Sequence, residues 1–113
     1  MTSTTMTDTL LPTHRAPTHP GEMLLEEFLK PAGVSIKAFA EAVGLHYPRM
    51  HEVVTGKRPM TPDTAQRVAR ATGMSLGFWL QLQLKFDLWH QERELPAEVK
   101  KIKRLPAFAG KND

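Results

Sequence analysis

Glycines and capping residues cut this chain into short pieces, and that punctuation constrains its fold more than any other feature. Gly33, Gly44, Gly56 and Gly73 each follow a run whose apolar residues recur at helical spacing. Glycine is favoured just past a helix end because the left-handed backbone required there costs it little. Ser35, Thr61 and Ser75 stand just ahead of the runs that come next, where a hydroxyl can accept from an orphan helix N–H. After Thr61 come Pro62 and Asp63, a proline at the first helical position and an acid in the first turn, both favoured at a helix start. The spacing predicts a first helix over residues 22–30 with Met23, Leu24, Leu25 and Phe28 on its apolar face, stopped by Pro31 and Gly33. A second over 36–43 turns Phe39, Ala40 and Val43 inward, and a third over 47–55 carries Pro48 in its first turn and Met50 and Val53 inward. A fourth over 62–72 buries Ala65, Val68 and Ala69, and a fifth, longer helix runs from the Ser75 cap to about Glu92. No strand alternation and no internal repeat interrupts this pattern, so the expected fold is all-α, a five-helix bundle over residues 19–92.

At 113 residues the chain has room for one domain and one modest core. It contains no cysteine, which excludes disulfides, thiolate metal sites and a cysteine nucleophile. No apolar run approaches the ~20 residues of a membrane span. Met1 to Thr18 lacks the apolar stretch of a signal peptide, so an intracellular, cytoplasmic protein is expected. That Thr-rich segment, with Pro12 and Pro17, shows no apolar period and is expected to be a disordered arm over 1–18. The helical domain is then 19–94, and residues 95–113 form a basic tail in which 96–105 can make a short amphipathic turn or helix.

The net charge is only +3, but it is unevenly placed. Glu22, Glu26 and Glu27 lie near the start, whereas Arg49, Lys57, Arg58, Arg67 and Arg70 cluster against Glu52 and Asp63. Clustered positive charge points to a polyanionic partner. The second and third helices are joined by Gly44, Leu45 and His46, and small Ala40 lies four residues before Gly44. Small residues at such a crossing let two helices meet steeply, the arrangement of a helix-turn-helix, in which the second helix enters the major groove of DNA. With Met50 and Val53 inward, His46, Tyr47, Arg49, His51, Glu52 and Thr55 remain on the outside, a mixed hydrogen-bonding set that includes arginine, the commonest reader of guanine. Lys57 and Arg58 follow the helix end, placed for backbone phosphates. Ser35 and Lys37 open the preceding helix, whose N-terminal N–H groups attract a phosphate.

The run from Ser35 to Leu45, with Gly56-Lys57-Arg58 and Thr61-Pro62-Asp63-Thr64-Ala65, resembles the phage-repressor-like (XRE) helix-turn-helix family. His19-Pro20-Gly21-Glu22 at one flank and Phe78-Trp79-Leu80 with Leu82-Gln83 at the other resemble its HigA antitoxin branch. The resemblance covers roughly residues 19–92. It implies a homodimeric transcriptional repressor that binds double-stranded DNA at its own operator and neutralises a HigB-type, mRNA-cleaving toxin, with no enzymatic activity and no cofactor of its own. A stand-alone regulator without a toxin is the alternative, separable by whether a small ribonuclease-like gene lies next door. Thr55 stands where the family often has asparagine before the glycine, and Pro48 takes a position that often carries a polar reader; both departures bear on the operator sequence.

His51-Glu52 begins like the zincin motif, but its second ligand position is Thr55, so neither a metal site nor a hydrolase is expected. At ~100° per residue, the fifth helix carries two apolar rows. Leu76, Leu80, Leu84 and Leu88 form one; Phe78, Leu82, Phe86 and Trp89 form the other, with Trp79 at its border, and Gln81, Lys85 and Glu92 lie between the rows on one side, Gln83, Asp87 and His90 on the other. One row serves the domain and the other is left as an interaction patch; the aromatic row, Phe78, Leu82, Phe86 and Trp89, is the expected dimer interface. Lys100, Lys101, Lys103 and Arg104 either keep the tail soluble, add phosphate contacts or dock on an acidic partner. Deleting residues 1–18 should leave the thermal midpoint within a few degrees of the intact chain, since the segment has little to bury against its ordering entropy; a larger drop in a melting experiment would show that it packs on the domain.

Overall fold

The computed structural model describes residues 16–110, and the regular structure in it is entirely helical. An α-helical Pro20–Leu24, a π-helical Leu25–Leu29 and an α-helical Lys30–Ala32 run end to end as α1. Then come α2 (Ile36–Val43), α3 (Tyr47–Val54), α4 (Pro62–Thr72) and α5 (Leu76–Arg93). A four-residue α6 (Ala97–Lys100) and one 3₁₀ turn (Pro106–Phe108) follow. The all-α, five-helix expectation holds for the body of the chain. The first fifteen residues of the expected N-terminal arm lie outside the described residues.

Most helix ends lie where the punctuation put them. The hydroxyls of Ser35 and Ser75 accept from the N–H groups of Ala38 and Phe78, each at 3.0 Å, and that of Thr61 from Thr64 at 3.3 Å. Gly44, at φ +74°, turns the chain out of α2, and the N–H of Leu45 returns to the Ala40 carbonyl at 2.9 Å. The first helix departs from expectation. It begins at Pro20 and runs through Pro31 to residue 32. Proline inside a helix lacks a donor and crowds the carbonyl four residues back. Here the turn before it is wide, with the Lys30 N–H reaching the Leu25 carbonyl five residues back. That π-turn relieves the crowding, so the helix continues until Gly33.

The core is built where α1, α3, α4 and α5 meet around Trp79, which is fully buried. Its ring lies 5.3 Å from that of Phe28 and edge-on to that of Phe78, and its Nε1–H donates to Thr72 Oγ1 at 3.3 Å. Leu24, Met50, Val53, Ala65 and Val68, none measurably exposed, complete the centre. The orientation of α5 is a correction. Its inward face is Trp79 and Gln83, with Phe78 and Leu82 and, from the leucine row, Leu80 packed at the core's edge, whereas Leu76, Leu84 and Leu88 face outward. The aromatic row expected to be free is therefore the half-buried one, and Gln83, expected between the rows on a polar side, is buried. The reason is a specific bond: Gln83 Oε1 accepts the otherwise orphaned N–H of buried Met60 at 2.7 Å, and a buried donor left unpaired costs about 1–3 kcal/mol.

The first turn of α1 meets the end of α3 backbone to backbone. Pro20 and Gly21 are buried, and a Cβ at Gly21 would overlap the carbonyl of Val53 and crowd Val54. No side-chain rotation can relieve an overlap with main chain. Gly21→Ala should therefore lower stability in urea unfolding by about 2–3 kcal/mol. Gly77→Ala, in α5 with open space around it, should be neutral or slightly stabilising.

Candidate nucleic-acid interface

Two devices fix the α2–turn–α3 unit. At the turn, Arg67 on α4 donates through Nη1 to the carbonyls of Val43 (2.7 Å) and Gly44 (3.5 Å), while its Nε holds Asp63 at 3.1 Å. The guanidinium thus satisfies carbonyls that the end of α2 leaves open. At its finish, the N–H groups of Lys57 and Arg58 both point to the Glu52 carbonyl, at 2.9 and 3.2 Å. The Arg58 side chain closes on the Glu52 carboxylate through Nε (2.9 Å) and Nη2 (2.8 Å). Both partners are about half exposed, so the brace shapes the loop more than it stabilises the fold.

Behind that loop sits His19. The imidazole is buried and caps α1, its Nδ1 accepting the Gly21 N–H at 2.9 Å. Nε2 therefore carries the proton, which goes to the Arg58 main chain. The ring lies against Gly56 and meets Phe86 of α5 edge-on, with centroids 4.9 Å apart. One side chain thereby joins α1, the loop after α3, and α5. Burial holds its pKa below the usual 6.5, against the opposing pull of Asp87, the Arg58 bond and Glu22.

The candidate DNA-facing residues fall into three groups. Ser35 and Lys37 are exposed at the first turn of α2, with the Ser35 hydroxyl occupied as cap. On α3 and its entry, His46 and Tyr47 are exposed and His51 is half-buried, with the Tyr47 and His51 rings 5.8 Å apart. Thr55, one turn on, donates its hydroxyl to the His51 carbonyl at 2.8 Å. Arg49 lies half-buried with an enclosed Nε that meets no acceptor among the described residues. Beyond the helix, Lys57 is exposed, whereas Arg58 and Glu52 are engaged with each other. The outward surface of α3 is thus polar and mixed in chemistry, opposite the buried Met50, Val53 and Val54.

No protein-family model matches the chain. It is 39% identical over 93 residues to the antitoxin HigA-1 of Vibrio cholerae, covering 82% of this chain and 88% of that one. The chain belongs to the HigA family of helix-turn-helix antitoxins. Two solved HigA-type relatives carry DNA. The Pseudomonas aeruginosa antitoxin HigA with the higBA promoter superposes with a TM-score of 0.68 at 31% identity, over 79% of this chain and 98% of that one. The antitoxin GraA in complex with its operator gives 0.71 at 34% identity, over 84% and 97%. The HigA family is one of DNA-binding regulators, not of enzymes.

Three residues of this HigA-family chain that position the site escaped sequence reasoning. His19 was visible only as part of a flanking motif, Arg67 only as one more surface charge, and Gln83 only as a polar gap between apolar rows. The His-Pro-Gly flank has a physical meaning: an imidazole cap, a proline at the first helical position and a glycine that admits the backbone of α3. Because His19 is held neutral, the unfolded chain takes up its proton first as pH falls. Stability from this group is full above about 6.5 and declines below it until the lowered native pKa is passed. His19→Asn keeps a capping acceptor without the titration. It should be less stable than the parent at pH 7.5, and chemical denaturation at pH 7.5, 6.5 and 5.5 should show that gap narrowing toward acid.

Proposed function

We propose that this protein is a sequence-specific transcriptional repressor and antitoxin of the cytoplasm. It binds its own operator as a homodimer and neutralises a HigB-type mRNA-cleaving toxin. The likeness to two HigA-type antitoxins whose structures contain promoter or operator DNA carries this reading, since it spans almost the whole of each. The geometry supports it. An α3 with an inward apolar side and an outward polar one follows a turn held by Arg67 of α4 and ends against Gly21 and His19 of α1, so its outer face can be offered to a groove without reorganising. No helix among the described residues is long and apolar enough to cross a membrane.

In this reading α3 enters the major groove, Arg49 reads a guanine edge, and Lys57, with Ser35 and Lys37 at the start of α2, contacts phosphate. Two-fold symmetry places two such helices on successive grooves, and α5 supplies the dimer contact. The open leucines of α5 are better placed for that contact than Phe78 and Leu82, which serve the protein's own core. Binding to operator and scrambled duplexes at several salt concentrations tests the readout. Arg49→Ala should lower operator affinity far more than affinity for random DNA, by roughly 1–3 kcal/mol of lost discrimination. Lys57→Ala should weaken both equally and flatten the salt slope by about one unit. An unchanged specificity ratio in Arg49→Ala removes that residue as a base reader, and unchanged affinity in both variants removes this surface as the DNA site. Toxin neutralisation is tested by growth of cells expressing the toxin with and without this chain.

A further inference from the structure

Two apolar surfaces of this chain lie open in one copy. Leu76, Leu84 and Leu88 on the outer face of α5 are 40–56% exposed. Past the end of α5, Leu95, Val99, Ile102, Leu105 and Phe108 are 41–73% exposed, although the segment carries helical turns. Their spacing is regular, and Glu98, Lys100, Lys101, Lys103 and Arg104 take five of the nine positions between them, with Pro96, Ala97, Pro106 and Ala107 in the others. An apolar side and a charged side on one short segment is the pattern of a strap that lies on an apolar surface with its charges toward water.

We propose that residues 95–108 form an exchanged arm that packs on a second copy of this chain. This rests on the dimerisation through α5 proposed above. The area decides it. Three leucines, each about half exposed, leave far less open apolar surface than a standard interface needs, which buries about 800 Å² per partner and is about 60% apolar. The leucine row alone is too small. The arm adds five more apolar side chains, 41–73% exposed, so it carries more open apolar surface than the leucine row itself, and the two together can supply the apolar share of a standard interface.

The place where the arm lands follows from length. The eighteen residues of α5 span about 27 Å. Two copies pairing their leucine rows about a two-fold axis across the helices run antiparallel, so the arm leaving the end of one α5 meets the start of the other. An open cleft of about 410 Å³ lies there, lined by Ala69, Gly73, Met74 and Leu76 with the stems of Gln66 and Arg70. The apolar side chains of the arm enter that cleft, and its lysines stay outside.

The chain has no cysteine, so single introduced ones are unique handles for a short bis-maleimide cross-linker on the full-length protein. Leu84→Cys, near the middle of the row, should cross-link to its own copy. Ile102→Cys mixed with Leu76→Cys should give a cross-linked pair holding one of each. Ile102→Asp/Leu105→Asp should weaken dimerisation at least tenfold by sedimentation without changing the circular dichroism. If Leu84→Cys cross-links but the mixed pair does not, the arm proposal is overturned and the α5 dimer stands. If Leu84→Cys also fails and the protein sediments as a monomer, the dimer falls and the arm with it. An Ile102→Cys/Leu76→Cys double variant that closes only within one chain places the arm on its own cleft and overturns the exchange. So does an aspartate variant that dimerises normally but binds DNA more weakly, which makes the segment a phosphate-binding tail.

Discussion

The approach of two main chains, Gly21 of α1 against Val53 of α3, sets the terms for the rest of the molecule. Helices normally meet through side chains, with axes 8–10 Å apart. Here one side chain is missing altogether, and the first turn of α1 lies on the last turn of the helix proposed to read DNA. That closeness leaves the first two residues of α1, Pro20 and Gly21, buried, so the orphan N–H of Gly21 needs a partner inside the fold. The His19 imidazole supplies it. Once the ring is there, it also becomes the wall against which the loop after α3 and Phe86 of α5 pack. A single close contact thus accounts for a capping residue, a buried neutral histidine and the position of a loop.

The domain holds the unit proposed to face DNA at its turn and at its far end, mostly through main chain. Arg67 reaches from α4 to the carbonyls at the end of α2, His19 and Glu52 hold the main chain after α3, and Gln83 holds the main chain at Met60. These contacts are made to backbone. The outward side chains of α3 are therefore not needed to hold the helix in place, Glu52 excepted, whose carboxylate Arg58 grips.

Much of this was legible in the sequence, for reasons that can be named. Caps and terminal glycines are local chemistry, so Ser35, Thr61 and Ser75 and the glycines after each helix placed α2, α4 and α5 to within a residue or so. The inward faces of α2, α3 and α4 followed from one-sided apolar periodicity. The first helix was harder, because a π-turn lets Pro31 sit inside a helix that proline was expected to end. The orientation of α5 was out of reach for a different reason. Apolar residues lie on nearly every side of it, so periodicity selects no face; the choice is made by one hydrogen bond from a residue 23 positions away, together with the fit of Trp79. Charge was misleading at Arg58 and Arg67, which count as surface cations in a composition but spend their guanidinium groups on partners within the fold.

The bond between Gln83 and the main chain of Met60 also limits how this lineage can drift. Most contacts between two positions can be re-made by changing both side chains, large for small or plus for minus. Here one partner is an amide proton that every residue except proline carries. Replacement of Gln83 by an apolar residue cannot be compensated by any ordinary change at position 60, and the only residue that would delete the proton would also stiffen a chain already holding Pro59 and Pro62. Position 83 is thereby tied to the handful of side chains that can present an oxygen at that depth, however freely the leucines on the other side of the same helix exchange.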